Sequence, residues 1–195
     1  MLLEKLKKYE ILLASNSPRR RNLIRELGFN VRILDNPAQE EIYPPEMNAK
    51  DVPEYLAKEK GKNISVKNNQ VLVTADTIVI LNNEPVGKPV SKKEAAFMLE
   101  RLSGKMHEVV TGMYLRSHTT ESSFSVLTRV YFGKLLKEEI EYYINNYQPL
   151  DKAGAYGIQE WIGYIGVERI EGSYYNVMGL PVQALYHELC RHVSF

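Results

Sequence analysis

The segment VLVTADTIVIL, residues 71–81, decides how the rest of the chain is read. It is a run of Val, Leu, Ile and Thr, rich in β-branched residues and too short to cross a membrane, so it reads as a buried strand. One ionisable residue, Asp76, stands in its middle. An unpaired carboxylate in an apolar layer is costly, so Asp76 is expected to meet a cation, a hydrogen-bond network or a substrate. The plainer alternatives are a kink that lets it reach water, or a structural ion pair. Successive side chains point to opposite faces of a pleat. Asp76 and Thr77 therefore cannot serve one site from a regular strand, and a bulge or a strand end is expected there.

Around this strand lie 195 residues, enough for one sizeable domain or two small lobes. The chain is 44% apolar and 25% charged, as in ordinary soluble globular proteins. Its net charge of +1 implies no general attraction to nucleic acid or to a membrane surface. Any anion must be held by local clusters. The single cysteine, Cys190, excludes an intrachain disulfide and a cysteine-based metal site, and its apolar helical setting places it in the core. The opening MLLEKLKKYE has no signal-peptide apolar run, and no window approaches a membrane span. A soluble, cytoplasmic protein is the expectation.

Upstream of the central strand, residues 11–14 read as a first strand, followed by SNSPRRR at 15–21. Ser17 suits a helix cap and Pro18 its first turn; the helix should run to Leu27 and stop at Gly28. Three arginines at the positive end of a helix dipole oppose the usual charge preference, and a bound anion would offset that. Arg20 shares a face with Leu23, Ile24 and Leu27 and should point inward. Arg19 and Arg20 are read as phosphate ligands and Arg21 as ion-paired with nearby acids such as Glu26. Residues 29–34 read as a second strand. The adjacent Glu40 and Glu41 on a Pro-rich loop are, on spacing alone, a solvated pair, although carboxylates also suit Mg²⁺ or Mn²⁺. DVPE at 51–54 looks like a capping box opening a helix to about Lys62. Lys60 interrupts the stripe of Leu56 and Ile64, either snorkelling at the core edge or reaching a phosphate.

Downstream, Asn82-Asn83 makes a hairpin turn, and Lys88 sits between Gly87 and Pro89 as a fixed loop cation, solvated or phosphate-bound. SKKE at 91–94 opens a helix ending at Gly104. Strands are expected at 107–116 and 124–132, a helix from Leu136 to Tyr147, and a strand at 165–170. His107 reads as a hydrogen-bonded structural residue. PLDKAGAYGIQ, residues 149–159, matches neither period and resembles a shaped binding loop. Tyr174, Tyr175 and Tyr186 read as core aromatics, and a last helix runs from Pro181 to about His192. The mixture implies an α/β protein: a long, mixed, twisted sheet with flanking helices, and two lobes around a cleft.

These pieces together resemble the Maf family of nucleoside triphosphate pyrophosphatases. The matching segments are LLASNSPRRRNLIRELG, EEIYP, LAKEKG, TADTIVILNNEPVGKP, MLERLSGKMHEVVTG, DKAGAYGIQ and IEGSYYNVMGLP. They follow the family's order over almost the whole chain. The resemblance implies a single Maf-like domain, residues 1–195, with two lobes and a fold related to inosine triphosphatase. It also implies metal-dependent hydrolysis of a nucleoside triphosphate to monophosphate and pyrophosphate. The family's acid-base position falls on Asp76, its phosphate-binding cations on Arg19, Arg20, Lys60 and Lys88, and its metal-binding acids on Glu41 and Asp76.

The branch preferring dTTP and UTP carries SPRR, ADT and AYGIQ, which supply Arg19, Thr77 and Gln159 here as specificity positions. The 7-methyl-GTP branch has a different loop in place of AYGIQ. A purine-directed enzyme and a non-catalytic nucleotide sensor regulating cell division are the alternative readings. Departures from the common pattern are Glu40, often Asp; Gly61, often Ala; and Trp161, often small. The first two are expected to matter little, and Trp161 to reshape the base pocket. The implied partners are a nucleoside triphosphate, a Mg²⁺ or Mn²⁺ ion and, as in relatives, a second copy in a homodimer.

Overall fold

The computed structural model describes residues 2–35 and 42–193. Its elements are α1 (Leu2–Leu6), β1 (Glu10–Ala14), α2 (Pro18–Glu26), β2 (Asn30–Leu34), α3 (Val52–Gly61), β3 (Gln70–Leu81) and β4 (Glu84–Val86). There follow α4 (Lys92–Leu102), β5 (Met106–Arg116), β6 (Glu121–Phe132), α5 (Lys137–Tyr147), α6 (Trp161–Gly166), β7 (Val167–Glu171), α7 (Tyr174–Val177) and α8 (Val182–His192). Two 3₁₀ turns, Pro149–Asp151 and Ala153–Ala155, separate α5 from α6. The strands form a mixed seven-stranded sheet in the order β2-β1-β3-β5-β6-β7, with β4 paired to β3. β1 runs parallel to β2 and β3, whereas β3–β4 and β6–β7 are antiparallel. This is the expected α/β class.

The chain packs as two compact units. The first comprises Met1–Asp76, Thr111–Val126 and Gly179–Phe195; the second comprises Thr77–Val110 and Leu127–Met178.

In the first unit, local signals act as expected at α2. Ser17 Oγ accepts from the Arg20 N–H at 3.4 Å, Pro18 occupies the first turn, and Gly28 takes the positive φ of 73° that ends the helix. Leu12, Ala14 and Leu72 pack with Leu34, Ile64 and Val66. At α3 the expected capping box does not form. Asp51 occupies the cap position but has helical backbone angles and makes no side-chain cap bond. Glu54 instead accepts from Ser123 Oγ at 2.7 Å and Ser125 Oγ at 3.2 Å on β6. The start of α3 lies directly on β5. A Cβ built on Gly112 would stand 2.1 Å from Glu54 N and from Pro53 C, so only glycine allows this approach.

In the second unit, Asn82 and Asn83 adopt φ of 53° and 66° between the paired Leu81 and Glu84, as the hairpin requires. Ser91 caps α4 by accepting from Glu94 N at 3.2 Å, and the Glu94 carboxylate reaches back to the Val90 N–H. The core joins Val79, Leu81, Leu99, Leu102, Phe132, Tyr143 and Ile162.

The strand expected at 165–170 is displaced, because residues 161–166 form α6 and the strand begins at Val167. Ile162, Gly163 and Gly166 face inward while Tyr164 and Ile165 face out, a helical period hidden by the short apolar run. Gly163 is needed because a Cβ there would lie 1.9 Å from the Ile158 carbonyl oxygen. Tyr174 and Tyr175, expected in the core, are exposed on α7, and Asn176 is the buried residue of that turn. Its amide donates to Val109 O and Thr128 Oγ1, at 3.1 and 3.0 Å, which turns the tyrosines outward.

His107 is buried and structural, as expected. It lies edge-on to the Phe132 and Tyr156 rings, with Nε2 2.7 Å from the Tyr156 hydroxyl. Burial lowers its pKa from 6.5 to about 4. As pH falls below 6.5 the unfolded chain takes up a proton that the folded site refuses, so stability present above pH 6.5 is lost toward pH 4. Urea midpoints should report a loss of up to about 3 kcal/mol over that window. His107→Phe should flatten the slope while leaving the contribution of His192, whose pKa burial also lowers. An unchanged slope would remove His107 as the cause. Separately, Gly112→Ala should cost about 3 kcal/mol by overpacking α3 against β5, and an unaltered unfolding midpoint would refute that close approach.

Candidate functional site

β3 pairs with β1 as far as Val73 and with β4 only from Val79. Residues 74–78, with Asp76 at their centre, are paired by neither. The strand itself is continuous from Gln70 to Leu81, so the expected strand end is absent. β1 is only five residues long and runs out before Asp76. Arg20 occupies the vacated edge. Its Nη1 donates to Ala75 O at 2.8 Å and its Nε to Gly179 O at 2.7 Å. The inward face read from the helical spacing is thus correct. Two of its donors hold backbone carbonyls, a task not foreseen for a phosphate ligand. Arg21 fastens α2 to the end of β1 through Ser15 O at 2.8 Å and Asn16 Oδ1 at 3.1 Å, with the Asp35 carboxylate 3.6 Å away. It is ion-paired as expected, but to Asp35 in place of Glu26. Arg19, one position before Arg20, is half-buried.

Asp76 is buried, and Lys60 from the last turn of α3 places its ammonium against Asp76 Oδ1. Three contacts hold α3 there. The Thr74 hydroxyl donates to Ala57 O, Gly112 admits the start of the helix, and Gly61 lies under the Tyr114 ring. A Cβ on Gly61 would approach Tyr114 Cδ1 to 2.7 Å, so this departure from the family's alanine matters more than the sequence suggested. Asp76 Oδ2 is buried and has no hydrogen-bond partner among the described residues. Such an atom is expensive unless water, a metal or a ligand meets it. It therefore fits the expected role of Asp76 toward a divalent ion or an attacking water. Among the described residues no group of three or more His, Cys, Asp or Glu could hold a metal. Glu41, the other expected metal ligand, and its neighbour Glu40 lie outside the described residues.

The remaining expected residues belong to the second unit. Thr77 is half-buried and follows Asp76 on the opposite side of the pleat. Lys88 is exposed. Gly87 O beside it accepts from Gly154 N at 3.0 Å, which ties the Lys88 segment to the 149–159 loop. Gly154 has φ 69° and lies against Val79, 3.1 Å from where a Cβ would stand, so a side chain there is strained.

The loop is built on residues to which the sequence reading gave no role. Lys152, 7% exposed, approaches Asp151 at 2.7 Å and Glu160 Oε1 at 3.3 Å. The Tyr143 hydroxyl donates to Glu160 Oε2 and accepts from Gly157 N at 3.0 Å. Burial first, and the Glu160 carboxylate second, push the Tyr143 pKa upward, so it remains a donor. Gln159 Nε2 lies 3.5 Å from Glu160 Oε1, and Gln159 Oε1 is buried without a hydrogen-bond partner among the described residues. The Asp-Lys pair in the loop sequence was a signal for Lys152. Tyr143 looked like one more apolar position of α5, and nothing local marked Glu160.

Residues 10–192 match the family described as Maf-like protein. A dTTP/UTP pyrophosphatase of Phocaeicola vulgatus is 50% identical over 190 residues, covering 96% of this chain and 98% of the relative. One of Parabacteroides distasonis is 50% identical over 192 residues with the same coverage. One of Flavobacterium johnsoniae is 46% identical over 193 residues, covering 97% and 98%. Among solved structures, the Ham1 protein of Staphylococcus aureus superposes with a TM-score of 0.52 at 14% identity, over 94% of this chain and 99% of that one. That likeness concerns the fold alone.

Lys60→Met should cost about 2 kcal/mol by leaving a buried carboxylate without its cation. In an Asp76→Asn background the same change should cost much less, since the amide carries no charge. Equal losses in the two backgrounds, measured by urea unfolding, would show that the pair is not coupled.

Proposed function

The chain belongs to the Maf family, and from that premise we propose that it hydrolyses dTTP and UTP to the monophosphate and pyrophosphate. The observation that carries the catalytic part is the buried Oδ2 of Asp76, without a hydrogen-bond partner among the described residues, beside an Oδ1 already engaged by Lys60. A carboxylate held by one oxygen presents the other in a fixed direction. It serves as the general base that orients and deprotonates the water attacking the α-phosphate. The names and high identity of the relatives support the pyrimidine preference.

Arg19 and Lys88 bind the triphosphate. Arg20 adds charge while two of its donors hold Ala75 and Gly179 in place. Lys60 both anchors Asp76 and contributes cationic charge toward phosphate. Thr77 and Gln159 contact the nucleoside. Asp76 with Glu41 would hold Mg²⁺ or Mn²⁺, and a bound divalent ion supplies an acidified water and charge neutralisation at phosphate oxygens.

Asp76→Asn should reduce kcat by about a thousandfold while nucleotide affinity changes little. The assay is pyrophosphate release from UTP, dTTP, GTP and 7-methyl-GTP, with and without Mg²⁺ or Mn²⁺. Full turnover by the variant would sink the role of Asp76. Preference for 7-methyl-GTP would make the enzyme purine-directed, and nucleotide binding without pyrophosphate release would make it a sensor.

A further inference from the structure

We propose that Glu160 is a positioning residue that locks the Gln159 amide so that its Oε1 accepts from the N3–H of uracil or thymine, disfavouring cytosine. The inference rests on the pyrimidine triphosphate reading above and concerns how that base is told from its amino analogue.

A glutamine side chain can present either face of its amide. Here one face is already committed. Nε2 lies 3.5 Å from Glu160 Oε1, and a carboxylate only accepts. Turning the amide over would set Oε1 against that carboxylate, acceptor against acceptor. The orientation therefore follows from Glu160, provided Glu160 cannot turn away, and it is held at both oxygens. Lys152 lies 3.3 Å from Oε1, and the Tyr143 hydroxyl donates to Oε2. Tyr143 is itself held by the Gly157 N–H at 3.0 Å. Gly157 leaves the room this arrangement needs, since a Cβ there would lie 2.8 Å from Glu160 Cδ and 2.9 Å from Gln159 Nε2. The Gln159 backbone is fixed too, because the Tyr164 hydroxyl donates to Gln159 O at 2.8 Å.

The result is a buried carbonyl oxygen, Gln159 Oε1, with no donor supplied by the described residues. Leaving such an acceptor unmet is costly, so the favoured ligand brings a donor. Uracil and thymine carry an N–H at N3. Cytosine carries a lone pair there, and would set two acceptors face to face. A site committed to one hydrogen-bonding pattern rejects an analogue that cannot supply it more strongly than an apolar pocket rejects a change of size.

The test uses the full chain and compares kcat/KM for UTP and CTP in wild type, Glu160→Gln and Tyr143→Phe. Glutamine at 160 can donate as well as accept, so the Gln159 amide becomes free to turn. The UTP-to-CTP ratio should fall about tenfold in Glu160→Gln, chiefly through KM, with CTP hydrolysis rising in absolute terms. General damage to the site would lower both substrates together. Tyr143→Phe keeps the ring but removes the donor to Oε2, and should shift the ratio in the same direction by about threefold. It also serves if the first variant does not fold. An unchanged ratio in a folded variant overturns the proposal. Titration calorimetry of UTP and CTP without metal reads the preference apart from turnover. Equal wild-type affinities would overturn the inference while leaving hydrolysis standing, and wild type inactive on UTP and dTTP would overturn the function it rests on.

Discussion

A buried carboxylate with one oxygen engaged by an ammonium and the other left without a hydrogen-bond partner among the described residues constrains how α3 and β3 pack in the first unit. Burying Asp76 costs free energy that Lys60 only partly offsets, so the position of α3 relative to β3 is under strict demand. The sequence around it is adapted to that demand. Gly112 lets the start of α3 touch β5, Gly61 makes room for Tyr114, and the Thr74 hydroxyl ties β3 to Ala57. Beyond the helix end, Arg116 donates to the Lys62 carbonyl at 3.1 Å. One residue before the carboxylate, Arg20 holds Ala75 O where the ladder from β1 has ended. Asp76 is fixed by its neighbours on the chain as firmly as by its ion pair.

The second unit answers a different requirement with the same means. Its 149–159 loop carries polar groups into a packed setting, and each needs a partner. Lys152 and Tyr143 meet Glu160, and Glu160 meets Gln159. The chain of contacts leaves an outstanding acceptor, Gln159 Oε1. Asp76 in the first unit and Gln159 in the second thus share one property: a side chain held by part of its polar surface presents the rest in a definite direction. A general base and a base-reading amide both require such preorganisation.

Arginine use illustrates how charge and position separate. Arg19, Arg20 and Arg21 are consecutive, yet Arg21 closes onto Ser15, Asn16 and Asp35 while Arg20 reaches across to Ala75 and Gly179. A helix turns by about 100° per residue, so adjacent side chains diverge. Charge alone would have given all three the same task.

Features that depend on a few neighbouring residues were legible in the chain itself: the strand around Asp76, the caps at Ser17 and Ser91, the Asn82-Asn83 hairpin, and the helix stop at Gly28. Backbone preference and side-chain reach settle these within three or four residues. The motif set likewise carried the family and the residue types of its chemistry. Tertiary structure decided which of those residues touch. Arg20 and Gly179 are 159 positions apart, and Lys60 and Asp76 are 16 apart, distances over which no local preference acts. It also decided where local patterns mislead. The short run 161–166 became a helix because Gly163 and Gly166 could pack inward, and Tyr174 and Tyr175 turned outward because Asn176 had buried partners. Glu160 is the clearest case: in sequence it is one acid after a glutamine, and only the approach of Tyr143 and Lys152 makes it the anchor of that amide.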